Sequence, residues 1–104
     1  SNGMLFDIDD DTDSEGNCIN SNFKRNGESI ACGKMRVDIN GFNGPNIEGR
    51  DIFIFRITSI GVFPSGVDGE IYADWSKYCS LSASNTDNGN GCAGRLMLEG
   101  EMNY

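Results

Sequence analysis

The residue types best suited to chemistry in this chain are its acids and its cysteines. It has no histidine and a formal net charge of −8. Without histidine there is no Ser-His or Cys-His dyad and no imidazole metal ligand. Ser65, in Pro64-Ser65-Gly66, has no general base that the sequence nominates. Paired carboxylates for glycoside cleavage need a cleft and separated pKa values. The acids instead crowd into one segment, Asp7, Asp9, Asp10, Asp11, Asp13 and Glu15, with no base among them. Within it, Asp9, Asp11 and Asp13 present carboxylates at alternate positions, as calcium loops do. An EF-hand starting at Asp9 needs glycine sixth and glutamate twelfth; Ser14 and Asn20 stand there. Starting at Asp7 puts Thr12 and Cys18 at those places. Asp9, Asp11 and Asp13 are therefore the candidate metal ligands, with calcium the candidate ion and a disordered acidic segment the competing expectation.

The cysteines are Cys18, Cys32, Cys79 and Cys92. Neither close pair has the Cys-x-x-Cys spacing of a redox motif or zinc ribbon. A zinc site would need all four thiolates or a carboxylate. Disulfides fit better and suit an exported protein. Four cysteines allow three connectivities. Cys18–Cys32 with Cys79–Cys92 is preferred, because each bond closes a short, polar, glycine-containing loop that has no core of its own.

The elements that must position these groups are short. At 104 residues the chain is one domain, and its 14 glycines and 38% hydrophobic content point to a loop-rich fold. Its negative charge makes nucleic acid or anionic lipid a poor partner, since binding there relies on Lys and Arg. Asn26-Gly27 is a hairpin signal with a strand on each side, and Cys32-Gly33 reads as a break. Met35, Val37 and Ile39 alternate with polar residues, so 34–39 reads as a half-buried strand. The next strand, 51–57, is apolar on both faces except at Arg56. Between them lies a loop marked by Asp38, Asn40, Gly41, Gly44, Pro45, Asn46, Gly49 and Asp51. Its short polar side chains are suited to fixing turns through backbone amides. A short strand over 59–63 ends at Pro64. A helical turn is expected at 73–78, a polar glycine-rich loop at 85–91, and a short helix at 93–99 capped by Gly100. Phe42, Phe63, Tyr72, Trp75 and Tyr78 are core residues or an interface surface. The fold class is α+β and mostly β: a small antiparallel sheet with long loops and little helix.

Two stretches carry a resemblance. One is Asp38-x-Asn40-Gly41-x-x-Gly44-Pro45-Asn46-x-x-Gly49-x-Asp51-x-Phe53, followed by Gly61-Val62-Phe63-Pro64-Ser65-Gly66. The other is the ending from Gly91-Cys92-Ala93 through Gly100-x-Met102-x-Tyr104. Together, over roughly residues 30–104, they resemble the C-terminal globular domain of bacterial type IV pilin-like proteins, the pilins and pseudopilins. The resemblance implies a filament subunit and not an enzyme. The filament would be a type IV pilus or a type II secretion pseudopilus, and the partners other such subunits. It also implies a long apolar N-terminal helix, anchored in the inner membrane before assembly. The chain would then belong at the cell surface or in the periplasm. No such stretch is in this sequence. Ser1-Asn2-Gly3 reads as a cloning remnant, with one head domain over 4–104. One sheet face should then be apolar, with Met35, Val37, Ile39, Phe53, Phe55 and Leu96 its candidates. Some pseudopilins bind calcium in a C-terminal loop, but no residues here match such a site. The alternative is a secreted binding or adhesion module, calcium-dependent or not, without a filament.

Overall fold

The computed structural model describes residues 5–10, 12–39 and 49–102. Among the described residues five strands come first: β1 (Leu5–Asp10), β2 (Asn20–Arg25), β3 (Glu28–Asp38), β4 (Ile52–Thr58) and β5 (Gly61–Pro64). Two short helices follow, α1 (Trp75–Tyr78) and α2 (Cys92–Glu99). Every strand pair is antiparallel. The fold is the expected small antiparallel sheet with little helix.

β3 is the spine of the sheet. β4 runs along one of its edges, and β5 pairs with β4 beyond. Two strands share the other edge. β2 pairs with 28–31 of β3, and β1 with 33–38. Asn20 stands opposite Ala31, and Asp10 opposite Gly33. β1 and β2 thus share one edge of β3, with residues 12–19 forming an excursion before β2.

Local chemistry accounts for the turns. Asn26 (φ 53°) and Gly27 (φ 81°) join β2 to β3 with both residues left-handed, as a twist-matched two-residue hairpin requires. At Thr58–Gly61 the Thr58 hydroxyl donates to the Gly61 carbonyl at 2.7 Å and accepts from the Ile60 amide at 3.2 Å. Pro64 sits on β5, an edge strand, where a missing amide donor is tolerated. Asp74 caps α1 by accepting from the Ser76 amide, and Gly100 (φ 77°) closes α2 with its amide on the Leu96 carbonyl.

Two expectations are corrected. Cys32-Gly33 does not break the chain. β3 passes through it, and the disturbance appears as a register shift against β4 between Ala31 and Gly33, a bulge. Nor is the acidic segment wholly irregular, because Asp7, Asp9 and Asp10 lie in β1. The reason is alternation. Phe6 and Ile8 occupy one set of positions, and Asp7 and Asp9 the other, in register with Arg36 and Lys34.

Successive residues of a strand point to opposite faces. In β4 one face carries Ile52, Ile54, Arg56 and Thr58, all buried. The main core lies on this side, with Phe23, Ile30 and Ala31 packed by Phe63 and Val67. A second cluster joins Cys79 and Cys92 to Trp75.

Candidate functional site

Arg56, the polar exception in an apolar strand, organises the covered face. Its Nε donates to Glu70 Oε2 at 2.9 Å, and both side chains are almost wholly inaccessible, at 5% and 0% exposure. Glu70 Oε1 accepts from the amides of Gly66 (2.8 Å) and Tyr72 (2.9 Å). The guanidinium lies 5.7 Å from the Tyr72 ring centroid. One buried carboxylate therefore ties β4 to two points of the segment that follows β5. The charge is both paired and hydrogen-bonded, which burial demands. This cluster fastens the fold.

The same segment packs backbone against backbone. A Cβ on Gly66 (φ 108°) would lie 2.1 Å from the Gly91 carbonyl oxygen. The Gly94 amide donates to Ser65 O at 2.7 Å, and Trp75 Nε1 donates to Gly66 O at 2.8 Å. Ser65 is fully buried, and its hydroxyl has no hydrogen-bond partner among the described residues.

Asn88 builds the polar loop after α1. Its side chain accepts from the Ser80 amide and donates to the carbonyls of Ser80 and Ala83. Arg95 on α2 donates from Nη1 to the Cys79 carbonyl at 2.6 Å and from Nε to Glu99 at 3.0 Å. Its guanidinium lies 5.9 Å from the Trp75 ring centroid. Tyr72 and Tyr78 meet edge to face at 4.9 Å between centroids, and Phe63 packs on Phe23 at 5.4 Å. These aromatics contribute to the domain's own packing. Phe42 lies outside the described residues.

Both disulfides follow the preferred pairing, Cys18–Cys32 and Cys79–Cys92. Of the candidate metal ligands, Asp9 belongs to β1, Asp11 lies outside the described residues, and Asp13 sits in the excursion. Asp13 Oδ1 accepts from the amides of Glu15 (2.9 Å) and Asn17 (2.8 Å), and Oδ2 accepts from Asn17 Nδ2 (3.2 Å). Those bonds, the Asn17 amide foremost, hold its pKa below the ordinary aspartate value. Among the described residues no three acids or cysteines gather as a metal site. Of the loop residues, Asn40, Gly41, Gly44, Pro45 and Asn46 lie outside the described residues, and Asp38 ends β3. Gly49 takes φ 86° and donates its amide to Ile52 O, while the Asp51 carbonyl accepts from Ile39 N. The loop's base is closed by its backbone.

The second sheet face remains. On β4 it carries Phe53, Phe55 and Ile57, with Val37 and Met35 of β3 in register opposite the first two. Val62 and Pro64 of β5 complete the rows, and Phe6 and Ile8 of β1 stand at the register positions opposite Val37 and Met35. Phe53 is buried, Met35, Val37, Phe55 and Ile57 are half-buried, and Val62 is 56% exposed. Of the other candidates for this face, Ile39 is exposed and Leu96, on α2, is half-buried. The Arg56 side is apolar along β4 but carries Lys34, Arg36 and Asp38 on β3, and the segment carrying Glu70 and Tyr72 serves that side.

Glu70 is the residue sequence reasoning missed. Its signal was indirect: a lone arginine within an apolar strand needs a buried acid.

No protein-family model, curated protein or solved structure matched the chain.

Proposed function

We propose that this chain is the head domain of an extracytoplasmic filament subunit of the pilin-like kind, working through assembly contacts and not through catalysis. The observation that carries the reading is the second sheet face. A row-by-row apolar surface across β3, β4 and β5, half-buried at Met35, Val37, Phe55 and Ile57 and exposed at Val62, suits a cover that spans those strands. A long apolar helix N-terminal to this sequence would lie across it, leaving the Arg56 side and its loops on the filament surface. Two disulfides accord with an oxidising location, at the cell surface or in the periplasm. The residues at the apolar face offer packing only, and the buried polar cluster is saturated with internal bonds.

The test is assembly of the full-length protein carrying Met35→Glu and Val62→Asp. Filament formation should be lost while the head keeps both disulfides and its circular dichroism. Normal filaments from that variant would overturn the proposal.

A further inference from the structure

The two disulfides occupy unlike environments, and we propose that Cys18–Cys32 is a site of thiol–disulfide exchange that releases the edge strand β1, while Cys79–Cys92 is a permanent staple. Cys79 and Cys92 are 0% and 2% exposed, packed by Trp75, with the Cys79 carbonyl held by Arg95. An external thiolate reaches that bond only after the α2 region opens. Cys18 and Cys32 are half-buried, and Cys18 ends an excursion in which Ser14 to Asn17 and Ile19 are exposed. Access is one determinant of exchange rate.

Position gives the exchange a consequence. Cys32 lies between Ala31, the β3 residue opposite Asn20 of β2, and Gly33, opposite Asp10 of β1. The bond therefore clasps the chain where that edge passes from β1 to β2. β2 has further anchors: Lys24 donates its amide to Gly69 O, and the Asn22 carbonyl accepts from Ile71 N. Among the described residues the ladder partners of β1 lie on β3. Opening the clasp loosens β1 and the excursion and leaves β2 in place.

The step balances with a dithiol as reductant. Its first thiolate attacks one sulfur of the pair and forms a mixed disulfide, while the other cysteine leaves as thiolate and takes a proton. The second thiol of the reagent then displaces the second cysteine and closes the oxidised reagent. Asp13 and Glu15 share the excursion with Cys18, and no Lys or Arg lies between residues 12 and 19. These acids repel anionic thiolates, and salt screens that repulsion. A cationic thiol such as cysteamine should therefore react faster than anionic mercaptoacetate, and added salt should narrow the difference. This inference does not depend on the filament reading.

The experiment is limiting reduction of the native protein with dithiothreitol, alkylation of free thiols, peptide mapping, and amide exchange on the partly reduced species. Cys18 and Cys32 should be alkylated at least about tenfold faster than Cys79 and Cys92, since the buried pair requires local opening. Exchange should rise over β1 and the excursion and stay unchanged in α2. Simultaneous loss of both bonds, or earlier loss of Cys79–Cys92, would overturn the proposal. So would selective reduction with no change in β1 exchange, which would make the bond a surface cross-link with no hold on the strand.

Discussion

Glu70 is the most informative residue to change. Its carboxylate takes three hydrogen bonds, from Arg56 Nε, Gly66 N and Tyr72 N, all at 2.8–2.9 Å. Glu70→Ala leaves a buried guanidinium without its counter-charge, a loss of about 3–5 kcal/mol in comparable pairs. It also strands two amides, each worth about 1–3 kcal/mol when buried and unsatisfied. These terms overlap where water enters the space, so the expected cost is about 4–6 kcal/mol. Domains are stable by only about 5–15 kcal/mol, so this variant is barely folded. Glu70→Gln separates the two contributions, because its carbonyl still accepts from both amides while the charge is gone; about 3 kcal/mol is expected. Arg56→Met with Glu70→Gln removes both charges and leaves an apolar chain in the slot. The double variant should be more stable than the sum of its single changes by about 2 kcal/mol or more. The assay is guanidinium unfolding with the disulfides intact. A cost below about 1 kcal/mol for Glu70→Ala, or strict additivity in the cycle, would refute the role given to this pair.

Three more outcomes follow from the same geometry. Gly66→Ala should cost well over about 2 kcal/mol in the same unfolding assay, because its Cβ meets the Gly91 carbonyl at 2.1 Å. Gly16→Ala, with a similar positive φ and open space around it, should cost only about 1 kcal/mol; equal losses would contradict the close-packing argument. Asp13 is held below the ordinary value of 3.8 chiefly by the Asn17 amide, and Asp74 chiefly by the Ser76 hydroxyl. Depressed folded-state values contribute stability above 3.8 that is lost as pH falls through them. Carboxyl NMR titration should therefore place both midpoints below 3.8, and a midpoint at or above it would remove these turns from the account. Calcium at millimolar concentration should leave the melting temperature unchanged, because both Asp13 oxygens already serve the turn; a clear rise would show a site that binds the native state.

What could be read from the chain beforehand was what local chemistry decides. Asn26-Gly27 is a hairpin in any context that pairs its flanks, and Gly100 ends a helix because it accepts a left-handed backbone cheaply. The cysteine pairing was legible because each bond closes a short loop. Harder to see were features made by partners far along the chain. β1 was hidden by its own charge: six acids between 7 and 15 read as a solvated tail, and only the pairing with β3 brings Arg36 and Lys34 opposite Asp7 and Asp9. The bulge at Cys32-Gly33 arises because one strand must serve β1 and β2 on the same edge. Glu70 lies 14 residues from Arg56, and no local pattern joins them. The apolar face was partly legible: Met35, Val37, Phe53 and Phe55 fall on it, while Ile57 and Val62 emerge only once the register is known.

The central claim is that the second sheet face is made to be covered by a long apolar helix. The most direct measurement is to sequence the gene immediately upstream of the codon for Ser1, or for Met4 if the first three residues are foreign. The account predicts a short basic leader followed by a run of about 20 apolar residues leading into the head domain. A cleavable signal peptide with a small-residue cleavage site joined directly to this domain would contradict it, and would leave an exported binding module in its place.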